Sequence, residues 1–220
     1  DLDSHGERSF TFMVKPSADQ FIQCSDIPTF LAGEWLHCCS IALASEPSRS
    51  TTIEAIKRIK ANGGFVSFDP NLREEVWPNS EDMIPVVMSV VAMADVVKFS
   101  DDELLLLTQR PSLEQGLISV KELNIPLIVI TQGAKGALVI TAEMQTMITG
   151  KAVKPIDTTG AGDAFVGGLL CQLSLHKEWF TKGTIINAVQ WANGCGALAT
   201  TQKGAMTALP DKHMLARWIG

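Results

Sequence analysis

Residues 157–168 read Asp157, Thr158, Thr159, Gly160, Ala161, Gly162, Asp163, Ala164, Phe165, Val166, Gly167 and Gly168. A run of residues this small lets backbone N–H groups converge on an anion. The apolar, Gly- and Ala-rich continuation to Leu170 reads as a helix whose N-terminus carries partial positive charge. Asp163 stands inside that turn, where a carboxylate repels a bound phosphate unless it has another task. The natural task is to accept a proton from a hydroxyl that attacks phosphorus, so the segment points to phosphoryl transfer. Taken alone, a Gly-x-Gly turn is only a tight connection. Asp157, the Thr pair and the Gly167-Gly168 step set this one apart. It is no Walker loop, since no Lys-Ser or Lys-Thr follows the glycines, and it lacks the Gly-x-Gly-x-x-Gly of a dinucleotide fold.

Four further clusters could carry chemistry. Asp69-Pro70-Asn71-Leu72-Arg73 puts an amide and a guanidinium on one loop, although Arg73 could equally pair with Glu74 or Glu75. Lys98 to Glu103 contains Ser100 with Glu103 three residues on, the spacing of a helix capping box. Thr131-Gln132-Gly133-Ala134-Lys135-Gly136 is a turn whose glycines permit close backbone approach. Asn193 lies in an apolar helix beside Ala192, Gly194 and Gly196, where an unpaired amide is costly, so it either bonds a carbonyl or faces a ligand.

These loops need a scaffold. A chain of 220 residues, 46% of them hydrophobic, can bury one substantial core. Ser45 to Ser50 opens an amphipathic helix running through Lys60, with Ile53, Ile56 and Ile59 on one side. Glu81–Met93, Asp101–Thr108, Leu113–Leu123, a segment from Ala161, and Thr181–Thr200 also read as helices. Glu34–Ile41, Phe65–Phe68, Asp95–Phe99 and Leu127–Thr131 read as buried strands. A hairpin spans Ala137–Met147. Strand and helix alternate, which predicts an α/β fold with a mostly parallel sheet covered by helices on both faces. In such sheets ligands sit beyond the C-terminal strand ends, here the loops after Phe68, Phe99, Thr131 and Ile156.

Composition excludes several classes. A formal charge of −6 and a pI near 5.2 argue against a nucleic-acid partner, which needs a basic face. Ile84–Val97 is broken by Pro85, Ser89 and Asp95, and no run is long enough for a membrane-spanning helix. Five cysteines without a CxxC pair fit a reducing, cytoplasmic setting. Cys38 and Cys39 read as core thiols pointing to opposite faces of a strand. The scattered His5, His37, His176 and His213 give no zinc spacing. Asp3 to Gly6 read as a hairpin tip with Arg8–Val14 as its outgoing strand. The chain therefore reads as one whose N-terminal portion is missing.

These motifs together resemble the ribokinase-like (PfkB) carbohydrate kinases, and within that family the bacterial fructokinases. The resemblance is carried by the 157–168 segment and by Gly6–Met13, Phe68–Arg73, Lys98–Glu103, Thr131–Gly136 and Lys203–Pro210. It implies a partial β lid over residues 1–15 and an α/β core over 16–220; Phe12, near the lid, is an apolar group that could pack against a sugar or make an ordinary lid contact. It also implies an ATP-dependent kinase for a hexose, D-fructose giving fructose 6-phosphate. A kinase of the same fold for another sugar or a nucleoside, or a truncated nucleotide-binding protein without turnover, stays open.

Asp163 would be the base, Gly160 would shape the turn around the transferred group, and the backbone N–H groups of Ala161, Gly162 and Asp163 would stabilise the charge on it. Asn71, Arg73, Lys98, Thr131, Gly133, Gly136 and Asn193 would address the nucleotide. Glu103 would help hold Mg²⁺ with Ser100 in the place of the family's Asn. Asp157, Thr159, Ala199 and Gly204 would border a K⁺ site of the kind many relatives have. The partners implied are a small sugar and ATP, with a second copy joined through the lid.

Overall fold

The computed structural model describes residues 16–219. The strand expected over Arg8–Val14, the lid and Phe12 all lie outside the described residues.

The described residues build one mixed sheet of six strands in sequential order. These are β1 (Trp35–Cys39), β2 (Phe65–Asp69), β3 (Val96–Ser100), β4 (Leu127–Thr131), β5 (Ala137–Ile140) and β6 (Gln145–Ile148). The first four run parallel, and β5 and β6 return antiparallel. The connecting helices are α1 (Ser48–Ala61), α2 (Met83–Val91), α3 (Asp101–Thr108) and α4 (Leu113–Lys121). Parallel crossovers are right-handed as a rule, so three of them stepping in one direction place all their helices on one face. The packing agrees. Ile56, Ile59, Val87, Val90, Leu104 and Val120 from these helices share a core with Val66, Phe68, Val97, Phe99, Ile128 and Ile130 of the strands.

Alternation along each strand sends the next residue to the other face. There Val96, Leu127, Val129, Ala137 and Val139 meet α5 (Ala161–Ser174) and α6 (Lys182–Ala199) through Phe165, Leu169, Leu173, Ile185 and Val189. Because β4 is buried on both faces, it reads as a continuous apolar run in sequence, whereas Lys98 interrupts the equally buried β3. Gly168 lets α5 and α6 approach closely, since a Cβ there would fall 2.6 Å from the Cys195 Sγ.

Asp95 staples the sheet at its N-terminal side. Its Oδ2 accepts the Val66 N–H at 2.8 Å and its Oδ1 takes Lys60 Nζ at 2.8 Å. Its backbone joins Val66 and Leu127. Asp95→Ala is expected to cost about 2 kcal/mol, through the lost charge-assisted bond and the orphaned amide. A fall in melting temperature of about 4–8 °C would show it; an unchanged melt would contradict the staple.

The structure departs from the sequence reading in places. No strand ends at Ile156: residues 149–160 are irregular, and the N–H groups of Ile156 and Asp157 both donate to the Thr200 carbonyl, at 2.7 and 3.1 Å. The helix expected from Glu81 begins as a 3₁₀ turn (Ser80–Asp82), and α2 proper starts at Met83 with Pro85 in its first turn, where no N–H is needed. β1 is half-buried along most of its length because it is an edge of the described sheet. Cys38 still joins the core on the α1 side, and burial pushes its thiol up to about 12. Cys39 is half-buried on the other face. A helix that the sequence reading did not anticipate, α7 (Lys212–Ile219), closes the described chain. Asp211 caps it by accepting the Met214 N–H at 2.7 Å.

Candidate active site

At the C-terminal ends of β1, β2 and β3, the face that packs under α5 changes from apolar to polar. Trp35, Phe65 and Val96 give way to His37, Asp69 and Lys98. Lys98 is only 8% exposed and Asp69 only 4%, so each needs the other. Lys98 Nζ lies 3.2 and 3.1 Å from the two Asp69 oxygens and 4.0 Å from Glu103 Oε2. Removal from water pushes the Asp69 carboxyl up to about 6, against the opposing pull of Lys98.

The same two carboxylates pin the loop that leaves β2. Asp69 Oδ1 accepts the N–H of Asn71 at 3.2 Å, and Asn71 takes the left-handed conformation (φ 40°). Glu103 Oε1 accepts the N–H of Leu72 at 3.0 Å. Arg73, half-buried, donates through Nη1 to the Leu72 carbonyl at 2.6 Å.

Ser100 and Glu103 form the capping box their spacing predicts. Ser100 Oγ accepts the Glu103 N–H at 3.1 Å, and Glu103 Oε2 accepts the Ser100 N–H at 2.9 Å. Both Glu103 oxygens are thus engaged, and a cation could reach them only through a remaining lone pair or a water. Among the described residues no three acidic, His or Cys side chains gather as a metal cluster.

α5 begins beside this network. Gly160 is its N-cap with φ 77°, and a Cβ there would lie 2.9 Å from the Ala205 carbonyl oxygen, so the turn requires glycine. A Cβ on Gly162 would come 3.3 Å from Lys98 Nζ, which places the ammonium against the first turn of the helix. The sequence reading expected three N–H donors here, and the structure offers two. Ala161 donates to the Thr158 carbonyl at 3.2 Å, closing the turn, whereas the N–H groups of Gly162 and Asp163 meet no acceptor among the described residues.

Asp163 itself is exposed, and its charge reaches His37 and Cys39 on β1. His37 Nδ1 lies 3.1 Å from Ser67 Oγ. Burial lowers the His37 pKa from its ordinary value, and the Asp163 carboxylate works against that shift.

Two cavities flank the helix start. A cleft of about 330 Å³ is lined by Thr131, Gly133, Gly136, Ala161, Gly162 and Asn193, among others, so the turn after β4, the start of α5 and the middle of α6 share one space. Asn193 lines it while its Nδ2 donates to the Ile148 carbonyl at 2.9 Å, which satisfies both readings of that buried amide. Thr131 Oγ1 donates to the Phe99 carbonyl at 3.2 Å. Asp163 lines the other cavity, an apolar one of about 660 Å³ that includes Gly160, Gly167 and Trp191. Gly162 and Asp163 therefore look into different spaces from adjacent positions.

Asp157 ties the approach to α5 onto the loop after α6. Its Oδ1 accepts the N–H and Oγ1 of Thr159 at 2.9 and 2.7 Å, and its Oδ2 accepts the Gly204 N–H at 2.9 Å. Gly204 and Asp157 are thus joined by a hydrogen bond. Ala199 is fully buried beside Cys195 and Leu215. Sequence reasoning gave Asp69 no role and weighed His37 only as a metal ligand. Neither carries a local signal, because each takes its place through sheet register.

A parallel sheet whose strand ends hold a buried lysine beneath a glycine-led helix N-terminus defines an α/β enzyme class that handles phosphate. Residues 1–212 match the model of the pfkB family of carbohydrate kinases, and the chain belongs to that family. It is 62% identical over 220 residues to a fructokinase of Vibrio alginolyticus, covering all of this chain and 72% of that protein. The solved fructokinase of Vibrio cholerae O395 bound to fructose, ADP and calcium superposes with a TM-score of 0.96 at 64% identity, over 100% of this chain and 71% of the other. A double mutant of it holds fructose, ADP and potassium. The aminoimidazole riboside kinase of Salmonella enterica, complexed with aminoimidazole riboside and an ATP analogue, gives 0.91 at 39% identity, over 96% and 71%. No described helix is long and apolar enough to cross a membrane.

Proposed function

We propose that the chain is an ATP-dependent fructokinase that transfers the γ-phosphoryl group of ATP to the primary 6-hydroxyl of D-fructose. The observation that carries this reading is the start of α5, where two N–H groups without acceptors and the Lys98 ammonium converge beside an exposed carboxylate. Asp163 takes the hydroxyl proton as the sugar oxygen bonds to phosphorus, and the bond between phosphorus and the ADP oxygen breaks. The N–H groups of Gly162 and Asp163 bear the charge spread over the transferred oxygens. Fructose and ADP in the Vibrio cholerae relative support the choice of substrates.

ATP lies with its base toward Asn193 and its phosphates along Thr131, Gly133 and Gly136, reaching Gly162 from the cleft. Asn71, Arg73 and Lys98 close the phosphate end. Mg²⁺ supplies neutralisation of the nucleotide phosphates when bound, and Glu103 would hold it through water, consistent with its two engaged oxygens. Asp157, Thr159 and the Gly204 loop would serve a K⁺ ion, in line with the potassium-bound relative. Ala199 enters only through its place at the end of α6. A dimer joined through the lid and a cytoplasmic location complete the proposal.

The test is ADP release on adding fructose, with the product identified as the 6-phosphate. Fructose-dependent release is expected. ATP binding without it would indicate a nucleotide-binding protein that does not turn over. Release with aminoimidazole riboside and not fructose would favour the nucleoside reading, which the second relative motivates.

A further inference from the structure

We propose that Asp69 is a positioning residue for this transfer: it holds the Lys98 ammonium against the first turn of α5. One side-chain cation and the N–H groups of Gly162 and Asp163 then form a single seat for the moving phosphoryl group. The inference rests on the phosphoryl-transfer reading above and assigns within it a residue that the sequence left without a role.

Three observations carry it. First, a lysine side chain has four rotatable bonds and does not aim itself. Here both carboxylate oxygens of Asp69 grip Nζ, at 3.2 and 3.1 Å, on adjacent strands whose register sends both side chains to the face beneath α5. Second, residue 162 has no side chain to separate the ammonium from the helix backbone, and the 3.3 Å approach to a Cβ there shows how little room one would have. Third, the pair is nearly excluded from water, where two charges cost more to bury than an apolar pair of the same size, so stability alone gives little reason for it. Asp69 also takes the Asn71 N–H, which couples the aim of Lys98 to the loop carrying Asn71 and Arg73.

Asp69 also tempers the cation. An ammonium without a counter-charge binds the phosphates of bound ATP tightly in the ground state, which does not speed the chemical step. Sharing Lys98 with Asp69 reserves part of its attraction for the transition state, where charge on the equatorial oxygens shifts.

The test uses Lys98→Met, Asp69→Asn and the double variant. Its readouts are melting temperature, calorimetric affinity for ADP and for adenosine, and the kcat and KM for ATP in the fructose assay. Lys98→Met is expected to weaken ADP binding about 30-fold and leave adenosine binding within about twofold. Asp69→Asn is expected to lower kcat about tenfold while ADP binds as well as or better than in wild type. The double variant, which removes both members of the buried Lys98–Asp69 pair, should melt no lower than wild type and keep the ADP deficit.

The proposal is overturned if Lys98→Met weakens ADP and adenosine equally. It also fails if Asp69→Asn keeps wild-type kcat, or if the double variant recovers wild-type ADP affinity. Absence of any fructose-dependent turnover in wild type would instead sink the fructokinase reading, with the ADP-to-adenosine ratio still reporting on Lys98.

Discussion

Replacing Asp163 with asparagine is expected to lower kcat by about 1,000-fold and to leave ATP affinity within about threefold of wild type. The asymmetry follows from position. Asp163 is the third residue of α5, exposed and on the side of the helix start away from the cleft proposed to take the nucleotide. That cleft takes Ala161 and Gly162 from the same turn. An amide keeps the shape and the backbone donor of residue 163 but cannot accept a hydroxyl proton as a base. The fold should hardly notice. A carboxylate in the first turn of a helix is worth about 0.5 kcal/mol against the helix dipole, or about 1–2 °C in the melt. Steady-state kinetics with fructose, together with calorimetric ATP binding, checks both halves. A variant with near-normal kcat would remove Asp163 from the base role, and one that loses ATP binding in proportion would make it a nucleotide contact.

Gly136→Ala is expected to cost about 3 kcal/mol or more and to weaken ATP binding at least about tenfold. Gly136 has φ 102°, a conformation that L side chains rarely adopt. Its new Cβ would lie 2.2 Å from the Ile148 carbonyl oxygen and 2.7 Å from the Gly150 N, both backbone atoms that cannot swing aside. Residue 136, just before β5, must then move away from the chain leaving β6. Gly136 and Gly150 both line the cleft proposed to take the nucleotide, so its shape changes with them. Gly133→Ala is the internal control. It also has positive φ, at 54°, but nothing lies within 4 Å of its added Cβ, so it should cost only about 1 kcal/mol. A melt and an ATP titration of the two variants side by side decide the point. Equal effects would show that backbone strain alone matters and that the close approach at Gly136 does not.

Much of this molecule was set by local sequence. α3 over Asp101–Thr108 and β4 over Leu127–Thr131 appear where they were expected. A capping box marks the first, and a run of apolar, mostly β-branched residues buried on both faces marks the second. The start of α5 was legible because its left-handed N-cap, with φ 77°, falls on Gly160, although the groups that crowd Gly160 and Gly162, Ala205 and Lys98, come from elsewhere in the chain. α7 left a fainter mark, since eight residues after Pro210 form a stable helix mainly because Leu215 packs beside α6.

What the sequence alone could not decide is which distant groups meet. Asp69 and Lys98 are 29 residues apart, and their ion pair exists because β2 and β3 lie side by side in a register that sets Ser67 opposite Val96. His37 comes near Asp163 only because β1 adds to the same sheet beneath α5. Capping and turn chemistry act between neighbours along the chain, so residue order encodes them directly. Charge pairing and donor convergence act between neighbours in space, and only the packed sheet and its helix choose those.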